Sequence, residues 1–340
     1  MTIPIRAMLL HRLQISIPAI VVIMLSLTLV GHAQGPTLDW AVRTGAAGAS
    51  SIGESVDVDA GGNVYTSGRF TGTVDFDPGA GSANLTSAGS EDAFITKMDP
   101  SGNLIWAKRV GGTQGDYSFG NAVDATGNVY LTGSFAGTVD FDPGPGVFNL
   151  TAPGVFIDDI FILKLDPDGN FLWAKRIGSS GLDFGHSIAV GPSGVVTTGS
   201  FEGTVDFDPG TGTASLAAPA GQDEIFILKL DASGNYVWAK RMGGTSGDFG
   251  RSIALDASES VYSTGFFRGT ADFDPGPATF NLTDAGNSDI FVSKLDASGN
   301  FVWAKRMGGA NSDRGASINV DLAGNVYTTG DFHGTADFDP

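Results

Sequence analysis

Two stretches decide the fold: Asn121–Phe135, NAVDATGNVYLTGSF, and Asp159–Ile177, DIFILKLDPDGNFLWAKRI. Asn121–Asp124 reads as a short first strand, and Ala125-Thr126-Gly127 as a turn. Asn128–Phe135 alternates as a second strand should. Asp159–Leu165 is a β-branched and aromatic third strand, and Phe171–Ile177 a fourth. Between these two, Asp166-Pro167-Asp168-Gly169-Asn170 suits a type I turn followed by a left-handed residue, where glycine carries no steric cost. The unit is therefore two hairpins in a four-stranded meander. Its third strand is apolar on both faces: Phe161, Leu163 and Leu165 point one way, Ile160 and Ile162 the other. Such a strand needs a sheet above and a sheet below.

The unit recurs. Tryptophan stands at Trp40, Trp106, Trp173, Trp238 and Trp303, and Asp-Phe-Asp-Pro begins at Asp75, Asp140, Asp206, Asp272 and Asp337, both at a period near 65 residues. Radial repetition of four-stranded antiparallel sheets predicts an all-β β-propeller. A β-helix needs shorter coils, a string of sandwich domains needs about seven strands per unit, and no helical apolar stripe follows the leader. The period exceeds the roughly 40–50 residues of common propeller repeats. The excess lies between the second and third strands, Gly137 to Gly154 in one copy, and reads as an inserted hairpin or loop. The repeating part opens on a lone fourth strand, Leu38 to Thr44, and reaches Pro340 inside a repeated turn. The expectation is a truncated propeller: four full blades plus partial ones, open or imperfectly closed, with a five-bladed ring as the alternative.

Residues 1–33 read as a signal peptide. Arg6 and Arg12 precede an apolar run, and Gly31-His32-Ala33 places small residues at the cleavage site. An N-terminal membrane anchor is the alternative. Residues 34–340 then form one propeller domain, incomplete at its C-terminus. Composition narrows the function. The 340 residues carry a formal charge of −18, and −20 once the two leader arginines are gone, which argues against nucleic acid and anionic membranes as partners. With no cysteine there is no disulfide framework, thiolate metal site or cysteine nucleophile. Glycine is abundant, at 50 residues, yet it sits at recurring turn positions rather than in low-complexity tracts.

The pattern S-I-A-x-D-x-x-G-N-V-Y-x-T-G-x-F, then D-x-F-I-x-K-L-D-x-x-G-N-x-x-W-A-K, resembles the bacterial SBBP β-propeller repeat over about residues 38 to 340. The resemblance implies a large secreted or surface protein of the kind found in Bacteroidetes, with a C-terminal domain for type IX secretion. The D-x-x-G-N-x-x-W spacing is also similar to the tryptophan-docking motif of quinoprotein dehydrogenases, which is one residue longer with Gly and Trp displaced.

The sharpest chemical candidate is Asp-Phe-Asp-Pro-Gly. Asp75 and Asp77, Asp140 and Asp142, Asp206 and Asp208, Asp272 and Asp274 each share a strand face beside a glycine turn, which suits a hard cation such as calcium. Five near-copies exclude a single acid/base active site, which needs two distinct environments. The bland reading is that these aspartates accept local backbone N–H groups. The four W-A-K-R tryptophans are expected to pack between blades, with Lys108, Lys175, Lys240 and Lys305 reaching solvent or a carboxylate. Arg109, Arg176, Arg241 and Arg306 are expected to pair with Asp116, Asp183, Asp248 and Asp313. Lys97, Lys164, Lys229 and Lys294 are expected to form structural salt bridges. His186 and His333 do not recur, and the turn departures at 191–195 and 258–260 read as drift. The N-L-T triplets at Asn84, Asn149 and Asn281 read as strand sequence. The sequence thus points to a secreted or surface, non-enzymatic scaffold or binding module for an extracellular polysaccharide or a surface protein. The alternatives are a calcium-dependent adhesin and the non-catalytic part of a larger secreted hydrolase or lyase.

Overall fold

The computed structural model describes residues 20–26, 37–45, 48–154 and 156–340. Among the described residues every regular element is a strand. Four antiparallel sheets, each running first–second–third–fourth strand in order, stand around a common axis as blades of a β-propeller. In the second blade the strands are Asp116–Val123, Val129–Phe135, Asp159–Leu165 and Phe171–Ile177. Neighbouring sheets meet chiefly through their first strands, which therefore lie nearest the axis. A fifth unit contributes the hairpin Arg314–Val320/Val326–Asp331, packed on the fourth blade.

The two-faced third strand does what its sequence requires. Phe161, Leu163 and Leu165 join the core between the first and second blades, while Ile160 and Ile162 join the core between the second and third. The turn glycines Gly102, Gly169, Gly234 and Gly299 adopt φ of 76–84°, the left-handed region expected for them.

The first strand is longer than its alternation suggests. It starts at Asp116, not Asn121, because a β-bulge interrupts the period-2 pattern: Gly120 pairs with Thr132 and Ser118 with Gly133, leaving Phe119 unpaired. The bulge also accounts for the glycine of T-G-x-F. A Cβ on Gly133 would lie 1.7 Å from the carbonyl oxygen of Tyr117.

The inserted segment is a hairpin, Thr138–Asp140 paired with Asn149–Thr151, so N-L-T is strand sequence. It works between units. Asp272 and Ala271 of the fourth insert pair with Gly243 and Gly244 at the end of the preceding blade's fourth strand, and Asp337 and Ala336 pair likewise with Gly308 and Gly309. These two units are each stitched to the rim of the one before.

At the N-terminus, Thr37–Thr44 is the lone fourth strand. Ile20–Ser26 pairs antiparallel with it, in the place that the third strand holds in complete units. Part of the leader is thus paired in the uncut chain, while the proposed cleavage site at 31–33 lies outside the described residues. Among the described residues no helix is long and apolar enough to cross a membrane.

Candidate functional site

The antiparallel order puts the D-x-x-G-N turns at one end of every blade, and the inserts and inter-unit joints at the other. The turn end is structural. Trp40, Trp106, Trp173 and Trp238 donate their indole N–H to Pro100, Pro167, Ala232 and Ala297 in the turn of the next unit, at 2.9–3.2 Å. The tryptophans join blades, as expected. Among the described residues Lys97 and Lys164 form no salt bridge. Each donates to a turn carbonyl of the next unit, at 3.0 and 3.1 Å, and lies over a tyrosine ring. Among the described residues, of these four lysines Lys229, with Glu259, and Lys294, with Asp256, meet a carboxylate.

The joints correct the arginine pairing. Arg109, Arg176 and Arg306 contact Asp92, Asp159 and Asp289, and Arg241 lies 3.7 Å from Glu224; all four partners are buried at the start of a third strand. The aspartates first assigned to them clamp backbone instead. Asp183 accepts Ser179 N–H and Glu202 N–H, and Asp248 accepts Gly244 N–H and Arg268 N–H. The sequence could not separate the two sets, since both recur at the same period. Burial pushes the carboxyls of Asp116, Asp183 and Asp248 up to about 7, and that of Glu224 up to about 8.

The calcium candidates lie at the outer rim and make local bonds. Asp75 Oδ1 accepts Asp77 N–H and Ala83 N–H, and Asp77 Oδ1 accepts Gly79 N–H. Asp140 and Asp142, Asp206 and Asp208, Asp272 and Asp274 repeat these contacts. The backbone donors to Asp75 hold its carboxyl below the usual range. Among the described residues, no three His, Cys, Asp or Glu side chains gather in a metal-binding group. The second oxygens and nearby carbonyls are the groups left to hold a cation there.

The functional candidate is elsewhere, at the insert end on the axis. The bulge in each first strand is occupied by Glu54, Phe119, His186, Arg251 and Ala316, a different residue in every unit. Two residues earlier stand Ile52, Tyr117, Phe184, Phe249 and Arg314, and the facing second strands end on Arg69, Ser134, Ser200, Phe266 and Asp331 just before a constant phenylalanine. Several of these variable positions touch one another. Arg69 bonds Glu54 and Glu91 at 3.3 and 3.2 Å and lies over Tyr117. Tyr117 stacks on Phe119, whose ring centroid is 5.5 Å from that of His186 in the next blade. His186 stacks on Phe184. Phe249 stacks on Phe266 at 4.8 Å, with Arg251 and Arg268 over both rings and Arg314 over the second. Burial first, then the Arg251 charge, lowers the His186 pKa to about 3, so its imidazole is neutral. The repeat holds its tryptophans constant and its turns nearly so, while the bulge position differs in every unit. Aligning the five copies column by column exposes this signal, whereas reading each motif singly does not.

No family model matches the chain. It is 25% identical over 344 residues to an uncharacterized WD repeat-containing protein of Acanthamoeba polyphaga mimivirus, covering 83% of this chain and 24% of that protein. It is 27% identical over 124 residues to a regulatory protein, FlaEY, of Caulobacter vibrioides, covering 35% of this chain and 13% of that one. The chain therefore spans about a quarter or less of these relatives' length.

Proposed function

We propose that this β-propeller repeat protein is a secreted or cell-surface binding module, and that it takes its ligand at the ring of bulge residues on the axis. One observation carries the reading: the bulge, a device that re-aims a side chain, bears five different residues in five otherwise matching units. The groups gathered there are phenyl, phenol, imidazole and guanidinium, which recognise by stacking and ion pairing. A single catalytic constellation finds no support in the recurring motifs, and the reading is non-enzymatic. Extracellular polysaccharide and surface protein are the partner classes. The leader supports export, and its removal would leave the edge of Thr37–Thr44 open.

The test is binding of the chain to arrays of polysaccharides and surface proteins, beside Phe119→Ala and His186→Ala. Both variants are expected to lose at least tenfold in affinity, while Thr126→Ala, in an exposed turn at the opposite end, binds as the parent does. Equal binding by folded Phe119→Ala and His186→Ala protein overturns the reading.

A further inference from the structure

Asn84-Leu85-Thr86, Asn149-Leu150-Thr151 and Asn281-Leu282-Thr283 are strand sequence, yet the strand explains only their middle residue. Leu85, Leu150, Leu216 and Leu282 stand in all four complete inserts, and each packs against a buried cluster. The residues on either side alternate away from that core and are exposed in every copy. We propose that Asn84, Asn149 and Asn281 are acceptors for N-linked oligosaccharide, giving three glycans spaced around the insert end of the propeller. Because the lipid-linked sugar donor is used outside the cytoplasm, this rests on the exported character proposed above.

The third insert shows what the hairpin needs. There Ser215-Leu216-Ala217 stands in place of the triplet, so asparagine and threonine are absent together while leucine is kept. The register is unchanged: Thr204 pairs with Ala217, Val205 with Leu216 and Asp206 with Ser215, as Thr138 pairs with Thr151, Val139 with Leu150 and Asp140 with Asn149. Neither residue is required to build the strand. The threonines do bond across it, Thr86 to Thr73, Thr151 to Thr138 and Thr283 to Thr270, at 2.9, 2.9 and 2.8 Å. An exposed cross-strand pair of this kind contributes under about 1 kcal/mol. The amides of Asn84, Asn149 and Asn281 make no side-chain hydrogen bond among the described residues. An asparagine two residues before a threonine, with a residue other than proline between, is the pattern an oligosaccharyltransferase reads, and the chain carries it nowhere else.

In the transfer, Nδ2 of the asparagine bonds to the anomeric carbon of the first sugar as that carbon's bond to a polyprenyl diphosphate breaks. The diphosphate leaves with the electron pair, and the amide gives one proton to the transferase. The threonine hydroxyl is read at that stage, and its bond across the hairpin forms when the chain folds. The folded position suits a bulky, hydrated group. Asn281–Thr283 is the last strand of the six-stranded sheet that joins the third and fourth units, and Asn84–Thr86 and Asn149–Thr151 each lie at the edge of a two-stranded sheet. An open edge is a template for pairing with another chain, and a glycan rooted on it covers it.

The experiment is glycopeptide mapping by mass spectrometry on the full chain, from its natural source and from a eukaryotic secretory host. In the host the chain is made once behind its own leader and once behind the host's, which separates export from acceptor use. Glycan is expected on Asn84, Asn149 and Asn281 and on no other asparagine. Thr86→Ala, Thr151→Ala and Thr283→Ala should each remove one glycan from a chain that still folds, and the double substitution Ser215→Asn/Ala217→Thr should add a fourth. Three bare asparagines in the natural protein, or in folded chain secreted behind the host's leader, overturn the inference. Glycans that survive the threonine substitutions overturn it as well. If the host's leader yields three glycans while the chain's own leader exports nothing, the acceptors stand and the exported reading falls.

Discussion

Val129–Phe135 and Val326–Asp331 are nearly the same strand. They read VYLTGSF and VYTTGD, and each pairs with its first strand across the same bulge. Yet Tyr130 is 1% exposed and Tyr327 60%. The difference is neighbours. Tyr130 has sheets on both faces and a third strand beside it, whereas the fifth-unit hairpin packs on the fourth blade alone among the described residues. Local sequence and hairpin register are enough to form the strand. Burial, and the stability that follows from it, come from the stack.

The largest effect should come from testing that contrast at one motif position. Phe141, fully buried, lies against the rings of Phe135 and Phe161, whereas its counterpart Phe338, half exposed, meets the ring of Phe332 alone among the described aromatic rings. Phe141→Ala is expected to cost about 3–5 kcal/mol and Phe338→Ala under about 1 kcal/mol, read as urea midpoints. Similar costs would show that the end unit is as well packed as the interior. Next comes the seam between the third and fourth units, where the two turn departures turn out to be one feature. Glu259 occupies the glycine position of its turn at φ 58° and reaches back to Ser193 N–H, the Ser193 hydroxyl and Lys229. The third unit has Val196 where other units have the tyrosine that lies under the lysine, and Glu259 supplies the missing partner. Glu259→Gly should relieve the left-handed backbone yet lose about 2–3 kcal/mol, because Lys229 is left buried and unpaired. A neutral result would make the two departures independent drift.

A smaller, global effect is expected with pH. Asp116, Asp183 and Asp248 sit near 7 in the folded chain, so that state keeps protons that the unfolded chain releases near pH 4. Their contribution is full below about pH 4 and is lost as pH rises through 7. The turn aspartates act oppositely. At Asp124 burial alone would raise the pKa, but hydrogen bonds from Thr126 and Asn128 outweigh it, and that contribution fades as acid protonates the group. The melting temperature should therefore peak near pH 5 and fall by roughly 5 °C by pH 8. A rising profile over that interval would remove the joint carboxyls from the account. The smallest effect should come from Tyr130→Phe and Tyr327→Phe. Each loses one bond to a turn aspartate, at 3.3 and 3.2 Å, and is expected to cost about 1 kcal/mol in the buried unit and nothing measurable at the exposed one.

The legible part of this protein is whatever repeats locally. Trp106, Gly169 and the two-faced strand Asp159–Leu165 announce blade, turn and stacking, because each follows from spacing and side-chain type. The bulge was hidden, since Phe119 breaks the alternation that marks a strand, and the first strand is read short by five residues. The arginine partners were hidden for another reason. Asp92 and Asp116 recur alike, and only the chain path decides which of them Arg109 meets. The axial ring was present in the sequence as non-repetition, at positions too far apart to look related until the blades bring Phe119 beside His186.

The bulge has a consequence for how such a chain can change over time. Because the extra residue leaves the ladder and owes nothing to register, its identity is free while the glycine facing it is fixed. Glutamate, phenylalanine, histidine, arginine and alanine all occupy it on the same backbone. Duplication followed by single substitutions at that position yields new surfaces without new folding problems. The array behaves as a keyboard, with interchangeable keys on a common frame.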